Sequence, residues 1–296
     1  MTTVSQVQLP SAVGVLGGGT MGAGIAHAFL VAGCRVHVVE RDDEQCSAAS
    51  ARVLRATAAS VERATTTETL GALSARLTVT TDDSVFADCG LVIEAVPESV
   101  ELKVASLARI RAAAPDAVIA SNTSSISIDD LGATIGDASR FLGLHFFNPV
   151  PASKLVEVVK GSATSPAVVE AAQRWVAAIG KTAVTVRDAP GFASSRLGVA
   201  LGLEAIRMLE DGVASAEDID AAMELGYRHP VGPLRLTDIV GLDVRLGIAE
   251  YLHEQLGERF APPRLLRDKV AAGELGRKSG RGFYRYDEQP AKETVR

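Results

Sequence analysis

Two groups of residues in this sequence have the types and spacing to do chemistry. The first is Gly17, Gly19 and Gly22, in G-x-G-x-x-G spacing between the apolar run Val13-Gly14-Val15-Leu16 and the small-residue segment Ala23-Gly24-Ile25-Ala26. Each glycine has its own reason in a dinucleotide-binding turn: Gly17 for the sharp bend, Gly19 for close approach of a pyrophosphate, Gly22 for tight helix–strand packing. The helix start adds free N–H groups and a positive dipole end. A second apolar run, Arg35-Val36-His37-Val38-Val39, ends in Glu40, about 20 residues on, where an acid would hold a ribose diol.

The second group is His145 with Glu157. His145 lies between Gly143-Leu144 and Phe146-Phe147, and a lone histidine there could simply be a core residue bonded to backbone. Glu157, however, interrupts the run Leu155-Val156-Glu157-Val158-Val159, and a carboxylate in such a run is costly to bury unless it is paired. A His–carboxylate pair satisfies both, fixes the tautomer, and raises the basicity of the second ring nitrogen. That is the arrangement of a general acid–base and its orienting partner. His27, His37, His229 and His253 lack such a companion in the sequence and read as structural.

The elements that must position these residues alternate from residue 12 onward, strand then helix, the pattern of a parallel sheet with crossover helices. Strands are expected near 12–16, 35–39, 77–80, 91–98, 117–120, 141–147, 155–159 and 183–186. Helices are expected near 20–32, 43–64, 100–113 and 166–179, with a short one after a cap at Thr67. In such sheets ligands bind beyond the carboxyl ends of the strands. Glu40, Glu98, Asn122, Ser124, His145 and Asn148 all fall at or just past such ends. After Ala189-Pro190-Gly191 the strand pattern stops and long helices follow, near 192–211, 216–224, 244–255 and 264–272. The reading is an α/β Rossmann-type, doubly wound, mostly parallel sheet over 1–188 with an all-helical domain over 189–296. Residues 1–11 are expected to be a disordered lead and 288–296 a frayed tail.

Composition agrees with a folded chain that buries a sizeable core. The chain has 296 residues, 47 % hydrophobic, with a net charge of −6 of mixed sign, which favours neither nucleic acid nor an anionic membrane as partner. No apolar run approaches a membrane span. Cys34, Cys46 and Cys89 are an odd number without metal-like spacing. They read as buried, reduced thiols of a cytoplasmic protein, and no metal is expected.

Taken together, these motifs resemble the L-3-hydroxyacyl-CoA dehydrogenase family, in its 3-hydroxybutyryl-CoA dehydrogenase-like form. The resemblance covers almost the whole chain. It rests on Gly17 to Ala26 with Thr20 and Met21, Glu94-Ala95-Val96-Pro97-Glu98, Ser121-Asn122-Thr123-Ser124-Ser125, Gly143 to Pro149, Lys154 to Val159, Pro190-Gly191-Phe192, and Gly276 to Tyr284. It implies NAD as cofactor, with Glu40 at the adenosine ribose and Glu98, Lys103, Asn148 and Lys278 around the nicotinamide half. Ala95, Val96, Asn122 and Ser124 complete the cofactor set. His145 and Glu157 match the catalytic dyad, and Ser124, Ser195 and Asn148 take substrate-contacting positions. The implied reaction is reversible oxidation of an L-3-hydroxyacyl-CoA in fatty acid metabolism, by a homodimer joined through the helical domain. Leu197, Val199, Leu201, Leu203 and Ile206 are the expected exposed apolar face.

The chain departs from the family pattern in two places. Ser195 stands where an asparagine is usual. Arg52, Arg55 and Arg63 stand among alanines where a lysine cluster is frequent, with Thr57 and Ala64 near its serine and lysine positions. These departures are the main support for one alternative, a dehydrogenase of a free hydroxy acid, gulonate- or carnitine-like; a second, a non-catalytic dinucleotide-binding protein, has the retained His145 and Glu157 against it.

Overall fold

The computed structural model describes residues 9–286; the expected tail from 288 and the lead up to residue 8 lie outside them. The chain divides into two compact units, 1–192 and 193–296.

The first unit is built on eight strands: β1 (Ala12–Leu16), β2 (Arg35–Val39), β3 (Leu77–Thr80), β4 (Leu91–Glu94), β5 (Val118–Ser121), β6 (Phe141–Phe146), β7 (Leu155–Lys160) and β8 (Thr182–Arg187). They form one sheet in the order β3-β2-β1-β4-β5-β6-β7-β8. All neighbours are parallel except β6 and β7, which run antiparallel. The order reverses at β1, between β2 and β4, which is the doubly wound arrangement with its crevice at that switch point. Strands β1, β4 and β6 are buried at every residue, as expected of a sheet covered on both faces.

The covering helices are α1 (Thr20–Val31), α2 (Asp43–Glu62), α3 (Leu70–Ser74), α4 (Val100–Ala113), α5 (Ile128–Ala133) and α6 (Pro166–Ala178). One core cluster joins the sheet to α1, with Phe29 and Leu30 fully buried; the other lies under α4, around Phe86, Leu107 and Ile110. Local chemistry sets the helix starts. Asp42, Ser99, Ser127 and Ser165 each accept a first-turn amide through the side chain. The same chemistry corrects one expectation: the cap of the short helix is Thr69, bonded to the Ala72 amide, and not Thr67. Strand β4 ends at Glu94, four residues before the expected Glu98, because Pro97 and the Ser99 cap turn the chain into α4. Leu9, expected in the disordered lead, packs against the core.

The second unit is all helical: α7 (Ser194–Glu210), α8 (Ala216–Tyr227), α9 (Pro233–Val240), α10 (Leu242–Leu256) and α11 (Arg264–Ala271). Its core includes Val199, Leu203, Ile206, Leu234, Leu242, Ala249 and Leu252. Three of the five residues expected as an exposed apolar face, Val199, Leu203 and Ile206, are therefore interior, and Leu201 is half-buried; only Leu197, at 70 %, faces outward. A long helix inside a small bundle spends its apolar stripe on its own core first. Helix α9, which begins with Pro233, is buried through Leu234, Thr237 and Asp238. Among the described residues no helix is long and apolar enough to cross a membrane.

Candidate active site

The glycine turn follows β1. Gly17 has φ +96°, a left-handed conformation that disfavours any side chain, and a Cβ there would lie 2.9 Å from the Ala95 carbonyl oxygen. The turn thus packs directly on the Ala95-Val96 backbone, with the Ala95 amide donating to the Leu16 carbonyl at 2.8 Å. A Cβ on Gly22 would sit 1.7 Å from the Gly17 carbonyl oxygen, so only glycine lets α1 come this close to the strand end. At Gly19 the situation is opposite: φ is −61°, and an added Cβ would meet nothing within 4 Å. Neither backbone strain nor packing inside the protein accounts for glycine there. The open face lies at the start of α1, whose cap position makes no side-chain hydrogen bond, so its first amides are not capped. Thr20 is exposed in that first turn, and Met21, half-buried, packs on the core.

Glu40 follows β2 and closes the turn from the side. Its Oε1 accepts the Gly18 amide at 2.6 Å and its Oε2 accepts the Arg41 amide at 3.2 Å. The carboxylate is thereby fixed beside the glycines. Arg52 of α2 donates to the Gly18 carbonyl at 3.2 Å, so this arginine braces the turn. Thr57 is fully buried and bonds the Val53 carbonyl within its own helix, whereas Arg55 and Arg63 are exposed. An open glycine face, uncapped helix amides and an anchored acid fit a dinucleotide with a free ribose diol.

Between β4 and β5 lies a polar network that the sequence reading saw only in part. Glu94 is fully buried and accepts from Lys103 Nζ at 2.8 and 3.0 Å, Ser121 Oγ at 2.6 Å and the Val96 amide at 2.7 Å. Lys103, 1 % exposed, also reaches Glu98 Oε2 at 3.3 Å. Glu98 Oε1 in turn accepts from Thr123 Oγ1 at 2.6 Å and from the amides and hydroxyls of Ser124 and Ser125. Burial alone would push the Glu98 carboxyl up, but the Lys103 ammonium and these donors hold it below the ordinary range. Glu98, Lys103 and Ser124 are thus brought into one cluster around Glu94, which was missed. The signal that exposed Glu157 was present for it too: a carboxylate inside the apolar run Leu91-Val92-Ile93-Glu94-Ala95.

Asn122 turns its side chain to the next strand and accepts the Phe146 amide at 2.9 Å. This ties the end of β5 to the end of β6 immediately after His145. His145 and Glu157 are register partners across the antiparallel β6–β7 pair. His145 Nδ1 lies 2.8 Å from Glu157 Oε2; the histidine is 6 % exposed and the glutamate 1 %. The Phe147 ring, with its centroid at 4.4 Å, and the Phe192 ring at 5.7 Å flank the imidazole. Phe192 reaches it from a backbone with φ +49°, in the left-handed region that a bulky residue seldom occupies. Asn148 follows as an exposed residue of the loop after β6.

Two candidates lie in the helical unit. Ser195 is half-buried in the first turn of α7, where the cap residue is Ala193, so Ser195 is not the cap. Lys278 Nζ pairs with Asp243 of α10 at 2.6 Å.

The remaining histidines and the cysteines have other surroundings. His27 Nε2 bonds Ser60 Oγ at 2.8 Å. His37, Asp88 and Cys89 bring one potential ligand atom each within 4.8 Å of one another. Arg35 pairs with Asp88 at 2.9 Å, and burial pushes the Cys89 thiol up to about 12; both oppose a cation there. Cys34 and Cys89 are buried and Cys46 half-buried, all three as free thiols.

Known proteins match this chain along its length. Residues 12–189 match the family model described as 3-hydroxyacyl-CoA dehydrogenase, NAD binding domain, and residues 191–286 match 3-hydroxyacyl-CoA dehydrogenase, C-terminal domain. A 3-hydroxybutyryl-CoA dehydrogenase of Mycobacterium tuberculosis is 44 % identical, over 93 % of this chain and 98 % of that protein. One from Bradyrhizobium diazoefficiens is 42 % identical, over 93 % and 94 %. The crystal structure of (S)-3-hydroxybutyryl-CoA dehydrogenase from Ralstonia eutropha superposes with a TM-score of 0.90 at 40 % identity, covering 95 % of this chain and all of that one, 100 %.

Proposed function

The chain belongs to the 3-hydroxyacyl-CoA dehydrogenase family, and on that premise we propose that it oxidises an L-3-hydroxyacyl-CoA to the 3-oxoacyl-CoA, reversibly, with His145 as the general acid–base. The observation that carries the reading is the buried His145–Glu157 pair at 2.8 Å, at the carboxyl end of β6.

Glu157 holds Nδ1, which leaves Nε2 to exchange a proton with the 3-hydroxyl. NAD, when bound, supplies the acceptor for the hydride leaving C3. The imidazolium that forms is stabilised by the Glu157 carboxylate within an apolar surround of Phe147 and Phe192, where the attraction is little screened. In the reverse direction the imidazolium returns its proton to the developing alkoxide. Ser124, fixed by Glu98, presents its hydroxyl at the end of β5 as a substrate contact. Asn148 completes the substrate contacts in this unit.

The cofactor lies along Gly17, Gly19, Thr20, Met21 and Gly22, with Glu40 on the ribose diol. Ala95, Val96, Glu98, Lys103, Asn122 and Asn148 line the nicotinamide half. Lys103 acts mainly through Glu94 and Glu98, since its ammonium is buried between them. The same reading makes the protein a cytoplasmic homodimer of fatty acid metabolism, with apolar residues exposed on α8–α10 as the dimer face.

The direct test is NADH oxidation on acetoacetyl-CoA beside free acetoacetate. Turnover of the thioester with little of the free acid is expected. Turnover of the free acid alone would replace this reading with the free-hydroxy-acid dehydrogenase.

A further inference from the structure

Lys181 is a half-buried cation of the sheet unit, outside the chemistry proposed for the site. It stands between α6 and β8, and its side chain turns back to the loop over 147–154, which joins β6 to β7. Its Nζ donates to the Val150 carbonyl at 2.6 Å and to the Ser153 carbonyl at 2.5 Å. Burial alone pushes the ammonium below the ordinary lysine range, and no carboxylate of the described residues pairs with it. A cation drawn out of water onto two carbonyl oxygens of one loop holds the shape of that loop.

Helix α1 grips the same loop through a side chain. Val150 is 2 % exposed, in the core that joins the sheet to α1. A Cβ on Gly24 would lie 2.8 Å from the Val150 Cβ, so glycine at this position gives Val150 its seat. Gly24 is inside α1, where glycine is unfavourable relative to alanine, and its φ is not in the left-handed region, so packing is the reason for it. His27, three residues on along the same face of α1, feels the Lys181 charge, so the ammonium lies near that face. The loop is also closed on itself, since the Ala152 and Ser153 amides both donate to the Pro149 carbonyl at 3.0 Å.

Phe147, whose ring lies 4.4 Å from the His145 imidazole, and Asn148 lead straight into this clamp. Lys181 and Gly24 thus tie the helix that begins at the glycine turn to the loop that begins beside the histidine. We propose that Lys181 is a positioning residue: by holding Val150 and Ser153 it fixes where Phe147 and Asn148 stand between His145 and the glycine turn. This rests on the function proposed above, with Asn148 lining the nicotinamide half. The ammonium touches no reacting atom. Its loss leaves the contacts at Glu40 and the glycines in place and spoils the alignment on which hydride transfer depends steeply.

The experiment compares the unmodified protein with Lys181→Met, Lys181→Arg and Gly24→Ala. Three quantities are read: kcat on acetoacetyl-CoA with NADH and with NADH deuterated at both C4 positions, NADH affinity by fluorescence titration, and amide hydrogen exchange over 147–154 without cofactor. In Lys181→Met the Ala152 and Ser153 amides are expected to exchange faster and kcat to fall by about 10–10². The isotope effect on kcat should rise, as slowed chemistry replaces product release as the limiting step. NADH affinity should change little. Lys181→Arg, which keeps donors for both carbonyls, should recover most of the rate. Gly24→Ala, which pushes Val150 from its seat, should repeat the pattern of Lys181→Met and reads the clamp even if the methionine variant does not fold. A lower rate with both the isotope effect and the exchange unchanged would make Lys181 a merely structural residue and overturn the proposal. Weaker NADH binding with kcat unchanged would overturn it as well. Absence of turnover by the unmodified protein on any thioester would remove the dehydrogenase reading and this role with it, whereas turnover with variants that behave like the unmodified protein removes the Lys181 role alone.

Discussion

His145 and Glu157 are opposite one another on a single rung of the only antiparallel step in the sheet, with Nδ1 and Oε2 2.8 Å apart. Register partners on neighbouring strands place their side chains on the same face of the sheet, which brings the imidazole and the carboxylate together.

Replacing either member should therefore remove the proton path without removing the cofactor site. His145→Gln is expected to lower kcat by about 10²–10⁴. Glu157→Gln is expected to fall within the same range, since the ring loses the charge that steadies its protonated form. NADH affinity, read by fluorescence titration, should change little in both. Near-normal turnover by His145→Gln would end the acid–base assignment.

Glu40 sets cofactor choice. Its carboxylate is held at the glycine turn by the Gly18 amide at 2.6 Å, where it would repel a 2′-phosphate and bond a free diol. The kcat/KM for NADH should exceed that for NADPH, and Glu40→Ser should narrow the gap by about tenfold or more. Arg41 is adjacent and would be available to a phosphate once the acid is gone. An NADPH preference in the unmodified protein contradicts the role given to Glu40.

The Glu94–Lys103 pair should be worth more to stability than any surface pair in the chain. Lys103→Met leaves Glu94 buried and uncompensated, which costs about 3–5 kcal/mol in comparable cases. Urea unfolding of Lys103→Met, Glu94→Gln and the double variant gives the coupling directly. The double variant should recover part of the loss. Additive losses would mean that the two side chains do not depend on each other.

His27 gives a pH dependence of known sign. Burial, and then the Lys181 ammonium, hold its imidazole below 6.5. The unfolded chain therefore binds a proton before the native one does, so stability is full above about pH 6.5 and is lost as pH falls towards the native value. His27→Gln should show a smaller stability loss between about pH 7 and 5 than the unmodified protein, measured as urea midpoints. Parallel pH profiles would show that another group carries the acid sensitivity.

Assembly is testable through the apolar residues that the helical unit does expose: Leu225 at 84 %, Tyr227 at 75 %, Ile239 at 47 % and Val244 at 44 %. A monomer seldom leaves so many large apolar side chains on one small unit without a use for them. Light scattering should give about twice the 30.9 kDa chain mass, and Leu225→Arg with Tyr227→Glu should shift it towards the monomer. A monomer mass at micromolar concentration would remove the dimer.

Much of this was legible in the sequence because it depends on local periodicity and on rare residue types in apolar runs. The strand–helix alternation located eight strands and most helices, since burial on both faces of a parallel sheet writes continuous apolar runs. The glycine spacing, Glu40 and the His145–Glu157 pairing stood out because each breaks a local rule: a cluster of glycines, an acid at a strand end, a carboxylate among valines. What the tertiary structure decided are the relations between elements distant in sequence. The reversal of β7, the gathering of Glu98, Ser124 and Ser125 around Lys103 and Glu94, and the burial of Val199, Leu203 and Ile206 each depend on which surface another element covers. A single sequence carries the tendency of each segment, but the free energy of burying a charge or an apolar face is a property of the packed pair, and only the folded chain brings the pair together.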